Sequence, residues 1–80
     1  MKYVYLLESV PDPRKRYVGI STDFQRRLRE HNAGRSEHTS RLRPWRPVVV
    51  IRFDDDTKAE RFEQYLKSGS AHAFAKRHFW

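Results

Sequence analysis

The 80-residue sequence predicts a small α+β domain: a three-stranded, mostly antiparallel sheet flanked by helices, in the order β-β-α-β-α-α. Three observations lead there. Short runs of β-branched, aromatic and aliphatic residues at 3–7, 16–20 and 48–53 read as strands. The first two are joined across a Pro-Asp-Pro break, as in a hairpin. Segments with apolar residues at helical spacing follow the second and third strands, which sets helices beside the sheet.

Each element has its own reason. Tyr3, Tyr5 and Leu7 share one face of the first strand, and Tyr17 and Gly19 share one face of the second. Thr22 and Gln25 have capping-box spacing and predict a helix start at Thr22. Phe24, Leu28 and His31 form one stripe of that helix, and Gly34 suits its stop. Residues 35–47 read as a polar, basic loop, and Val48 to Phe53 is the best strand run. Asp54, Asp55 and Asp56 read as a turn. Thr57 and Glu60 repeat the capping box, ahead of a helix with Ala59, Phe62 and Leu66 inward and Gly69 as its end. Residues 70–79 predict a short last helix that buries Ala71, Phe74 and Ala75.

All 80 residues fit one domain, and 38% hydrophobic content supplies only a small core. With no cysteine, neither a disulfide nor a thiolate metal site can staple it. The apolar run from Tyr3 ends at Glu8, too short to span a membrane and unlike a signal peptide, so the expected location is cytoplasmic. Lys and Arg total 17 against 10 acidic residues, a net charge of +7. That balance favours a polyanionic partner, nucleic acid before membrane, because no helix pairs a long apolar face with a basic one.

Several side chains have the chemistry for a site. Arg27 and His31 stand four apart, so they are neighbours on the helix surface. At about 100° per residue, Arg27 lies about 60° and His31 about 20° from Phe24, while Arg26 and Arg29 fall on the outer side. Glu63 occupies the same kind of border on the second helix, beside Phe62 and one turn before Lys67. Each has a plain alternative: strand packing for Tyr5 and Tyr17, an arginine stem lying over the sheet edge, a solvated carboxylate paired with Lys67. Arg35, Arg41, Arg43 and Arg46 line the basic loop and can track a nucleic-acid backbone. Trp45, between Pro44 and Arg46, reads as core rather than as a base-stacking ring. His38 has no partner at ligand spacing, which argues against zinc.

In order along the chain stand Tyr3-Val4-Tyr5, Tyr17-Val18-Gly19, Arg27, His31-Asn32 and, in the second helix, Glu63 followed by Lys67. This set resembles the GIY-YIG nuclease superfamily from Tyr3 to Lys67. Thr39 with Arg43-Pro44-Trp45 resembles its small stand-alone branch, which includes structure-specific nucleases related to the Holliday-junction-cutting subunit. The resemblance implies a metal-dependent endonuclease that hydrolyses DNA phosphodiesters with one Mg²⁺ or Mn²⁺, in DNA repair or recombination. Glu63 would hold the metal and Arg27 would grip the phosphate, as a guanidinium can with two parallel hydrogen bonds. Water activation falls to Tyr5, Tyr17 and His31, with the single base open. Two departures stand out: Tyr3 replaces the first glycine of the signature, and no asparagine follows Glu63. They keep a second reading in view, a non-catalytic nucleic-acid-binding module on the same fold. With so little surface to grip DNA, the chain is expected to act as a monomer or weak homodimer, or with a protein partner that supplies specificity.

Overall fold

A computed structural model describes residues 1–80. The chain begins with the expected hairpin, β1 (Lys2–Ser9) and β2 (Arg16–Ser21), paired antiparallel. Then come α1 (Phe24–Asn32), a 3-10 turn at Ser40–Leu42, β3 (Trp45–Phe53) and α2 (Asp56–Leu66). A second 3-10 turn at Gly69–Ala71 leads into α3 (His72–His78). The strand order is β2-β1-β3 and both pairings are antiparallel, so β1 is the central strand.

A central strand covered on both faces must be apolar throughout, and Val4, Tyr5, Leu6 and Leu7 are all buried. Val4 and Leu6 pack on Ala59, Leu66 and Ala75, which puts α2 and α3 on one face of the sheet. Tyr5 and Leu7 pack on Phe24 and Trp45, which puts α1 and the following loop on the other. Trp45 is therefore core, its indole donating to the Thr39 carbonyl at 2.8 Å.

The helix starts differ from the capping-box expectation. Asp23, not Thr22, caps α1, its carboxylate accepting from the Arg26 N–H at 3.0 Å. Asp55, not Thr57, caps α2 by the same bond to Lys58, and Asp56 opens the helix instead of belonging to a turn. A carboxylate accepts the orphan N–H as well as a hydroxyl does and adds favourable charge at the positive end of the helix. Glu60, freed from capping, bonds Lys2 at 2.7 Å. β3 begins at Trp45 rather than Val48. An edge strand tolerates Pro47, and a register shift opposite Leu6 and Leu7 absorbs the extra residue. α2 ends at Leu66, so Gly69 starts the 3-10 turn rather than stopping the helix. In α3, Phe74 is exposed, and Phe79 and Trp80 pack against the core in its place.

Gly19 pairs directly with Tyr5 across the hairpin. A Cβ at Gly19 would stand 2.4 Å from the Tyr5 hydroxyl, so the missing side chain is the space the ring occupies. Because that ring is sealed on every side, it cannot yield. Gly19→Ala is expected to destabilise the fold by about 1–3 kcal/mol by overpacking. Urea denaturation reads the change, and a shift smaller than about 0.5 kcal/mol, typical of inert surface sites, would contradict the fit.

Candidate active site

β1 and β2 present Tyr5 and Tyr17 to the α1 side, with ring centroids 6.4 Å apart. α1 brings His31 against both, 6.0 Å from Tyr5 and 5.0 Å from Tyr17. Three of the expected residues therefore form one aromatic cluster. Neither His31 nitrogen is free: Nε2 lies 3.1 Å from the Tyr5 hydroxyl and Nδ1 lies 2.8 Å from Thr39 Oγ1. The Thr39 hydroxyl also faces the Ser36 carbonyl at 3.5 Å. If it donates there, Nδ1–H donates to Thr39 and Nε2 accepts from Tyr5. Burial, and then the Arg27 charge, push the His31 pKa below its ordinary 6.5, with Glu30 opposing them.

That shift has a consequence for stability. The unfolded chain takes up a proton near pH 6.5 and the folded chain only at lower pH, so acidification favours unfolding across that window. The thermal midpoint is expected to fall between pH 7 and pH 5, and His31→Gln should flatten that dependence. The lowered carboxyls of Asp12 and Asp56, ordinarily near 3.8, do not titrate in this range. An equal slope in parent and variant would show that His31 is not its source.

Tyr5 is pushed up to about 12, by burial first and then by Tyr17, against the opposing pull of Arg27. It remains a phenol at neutral pH. Tyr17 is only half-buried, and its hydroxyl makes no hydrogen bond within the protein. Arg27 is half-buried too, and Nη1 donates to Glu30 at 3.0 Å. Burial works against its charge, but the Glu30 bond and the Tyr5 and Tyr17 phenols outweigh it and raise its pKa. A permanently charged guanidinium thus stands at the open side of the tyrosine cluster.

Glu63 lies elsewhere. α2 covers the opposite face of the sheet, and no hydrogen bond or ion pair joins Glu63 to Tyr5, Tyr17, Arg27 or His31. Its carboxylate is 7% exposed and pairs with Lys67 at 2.5 Å, as their spacing suggests. It lines an open groove of about 490 Å³ with Ile20, Thr57, Glu60, Arg61 and Gln64. Edge strand β2 separates the two halves of the expected set, carrying Tyr17 toward α1 and Ile20 toward α2. Nowhere do three His, Asp or Glu side chains converge into a closed cage. One buried carboxylate, balanced only by a half-exposed ammonium, suits a cation that keeps most of its waters, as Mg²⁺ does.

Of the basic loop, Arg35, Arg41 and Arg43 are exposed and unpaired, whereas Arg46 is engaged by Glu8. The Arg43 guanidinium lies over Gly34, whose φ of 79° closes α1 and where a Cβ would stand 1.5 Å from Nη1. Two contributors had no role assigned from sequence. Thr39 orients His31 from a loop without periodicity. Asn32 binds the Trp45 N–H at 2.6 Å and its carbonyl at 3.2 Å, fastening α1 to β3.

Comparison with known proteins adds to this geometry. The GIY-YIG catalytic domain family matches residues 1–77. Structure-specific endonuclease subunit SLX1 of Candida dubliniensis is 39% identical over 82 residues, covering 94% of this chain and 27% of its own length. SLX1 of Meyerozyma guilliermondii is 41% identical over 71 residues, covering 80% and 24%. This chain thus spans about a quarter of the length of these curated relatives. The solution structure of the UPF0213 protein BH0048 from Bacillus halodurans superposes with a TM-score of 0.57 at 30% identity, over 96% of this chain and 84% of that one. With a family match running through nearly the whole sequence and both signature segments paired on β1 and β2, the chain belongs to the GIY-YIG family.

Proposed function

We propose that the chain is an endonuclease domain that hydrolyses DNA phosphodiesters with a divalent cation, in DNA repair or recombination. The observation that carries this reading is Arg27, held half-exposed and charged against the Tyr5–Tyr17–His31 cluster. A guanidinium so placed can bind two non-bridging phosphate oxygens and counter the charge that builds on them in the transition state. Tyr17 is the residue suited to orient the attacking water, because its hydroxyl is uncommitted. Tyr5 and His31 are sealed together, so their part is to position Tyr17 and Arg27 rather than to take the proton from water. Glu63 would hold Mg²⁺ or Mn²⁺, which when bound would polarise the phosphate and stabilise the leaving alkoxide. DNA crossing the β2 edge would meet both halves of the set.

The relatives are named subunits, which supports a protein partner that supplies specificity. The binding-module reading draws on the Lys67 clasp of Glu63 and its separation from Arg27. Incubation of plasmid and branched DNA with Mg²⁺ or Mn²⁺ separates the two, since only the nuclease produces new ends.

Binding itself should be salt-sensitive. Each phosphate neutralised adds about 0.9 to the log–log salt slope on duplex DNA. The Arg41→Ala, Arg43→Ala double variant is expected to lower that slope by up to about 1.8. Affinity that ignores salt would remove the electrostatic part of the reading.

A further inference from the structure

The outer face of α1 carries charge that the proposed chemistry does not use. Arg26 and Arg29 line one groove of about 300 Å³ with Glu30, Ala33 and Arg35. None of the three arginines has an acidic partner, and the groove's one carboxylate, Glu30, is committed to Arg27. Arg29 lies in the last turn of α1, where the helix dipole welcomes a cation. Arg26 has no such excuse. It lies in the first turn, at the positive end of the dipole, and that turn contains no acidic residue. The Asp23 carboxylate nearby accepts the Arg26 backbone N–H through Oδ1 and makes no ion pair with the Arg26 side chain. Three exposed, unpaired like charges around one groove, one of them at the positive helix end, set up a local field that favours an anion from outside. Beyond Arg35 the unpaired cations continue through Arg43, which lies over Gly34 at the helix end.

We infer that the Arg26–Arg29–Arg35 groove on the outer face of α1 is a second contact for a nucleic-acid phosphate backbone, separate from the Arg27 cluster and continuous with the basic loop. Glu30 stands between the two, lining the groove while it holds Arg27. The inference rests on the nucleic-acid part of the proposed function and not on cleavage. Contacts of this kind position the duplex without reading its sequence.

The test is equilibrium binding of a short duplex DNA across a salt series, in chelator so that no cutting intervenes. The Arg26→Gln, Arg29→Gln double variant is compared with a double of equal charge change elsewhere, Arg52→Gln with Arg77→Gln. The α1 double is expected to lose about 1.8 from the salt slope, two contacts at about 0.9 each, and to bind every sequence more weakly. The second double should stay near the parent. The thermal midpoint of the α1 double should be unchanged or raised, because removing Arg26 relieves its conflict with the dipole. Equal losses in both doubles would overturn the inference, leaving only a net-charge effect, as would an unchanged slope in the α1 double. A fallen midpoint would overturn it too, assigning the arginines to helix stability. Absence of cutting in Mg²⁺ with this binding pattern intact would count against the nuclease alone.

Discussion

Glu63→Gln is expected to lower cleavage by about 10³-fold while DNA affinity holds or rises. Metal stabilisation of transition-state charge is worth several kcal/mol, and about 4 kcal/mol corresponds to that factor. The amide keeps the shape of a side chain that is 7% exposed, so the groove should survive. A neutral amide is a poor ligand for Mg²⁺, which prefers anionic oxygen. Affinity should not fall, because the change removes a negative charge that would repel the phosphates of the proposed substrate. Lys67 loses its partner but is half-exposed and can be hydrated, so the stability cost should be only about 0.3–0.5 kcal/mol. A purely structural Glu63–Lys67 pair predicts that same small cost with cleavage unchanged. Cleavage and binding measured side by side, on protein with a parental melting curve, decide between them.

Arg27→Ala is expected to cost about 10²–10³ in single-turnover rate, the loss typical of one donor to a developing oxyanion. The loss should fall on kcat more than on KM, as for an interaction made chiefly in the transition state. Arg27 flanks the Phe24–His31 stripe rather than filling it, so most of the fold should persist. Arg27→Lys should recover little, because an ammonium cannot present two parallel donors. Arg52, exposed on β3 and paired with Asp54, is the control for charge alone. Equal rate losses from Arg27→Ala and Arg52→Ala would contradict the role given to the guanidinium.

Much of this site is legible in the sequence because periodicity reports which way a side chain points relative to its own element. Alternation placed Tyr5 and Tyr17 together, and helical spacing placed Phe24 and His31 inward with Arg27 at the border. The same logic found the Glu63–Lys67 pair. Periodicity does not report which face of the sheet a helix covers, so the placement of Glu63 across β2 from Arg27 had no signal. The caps went astray because Thr22-x-x-Gln25 and Thr57-x-x-Glu60 match a pattern that an aspartate nearby satisfies better. Thr39 reaches His31 only because the 35–47 loop folds back over α1, which local spacing does not encode. The burial that shifts Tyr5 and His31 is likewise a property of the assembled layers.

The proposed activity is cation-dependent hydrolysis of DNA by this chain. Its most direct test is incubation of branched and plasmid DNA with the purified protein in Mg²⁺ or Mn²⁺ and, in parallel, in chelator, with binding followed in both. Cutting in the presence of the cation, none in chelator, and binding in each is the predicted result. Binding without cutting under any divalent cation would contradict the claim and leave a nucleic-acid-binding module on this fold, and cutting that persists in chelator would remove the metal from the mechanism.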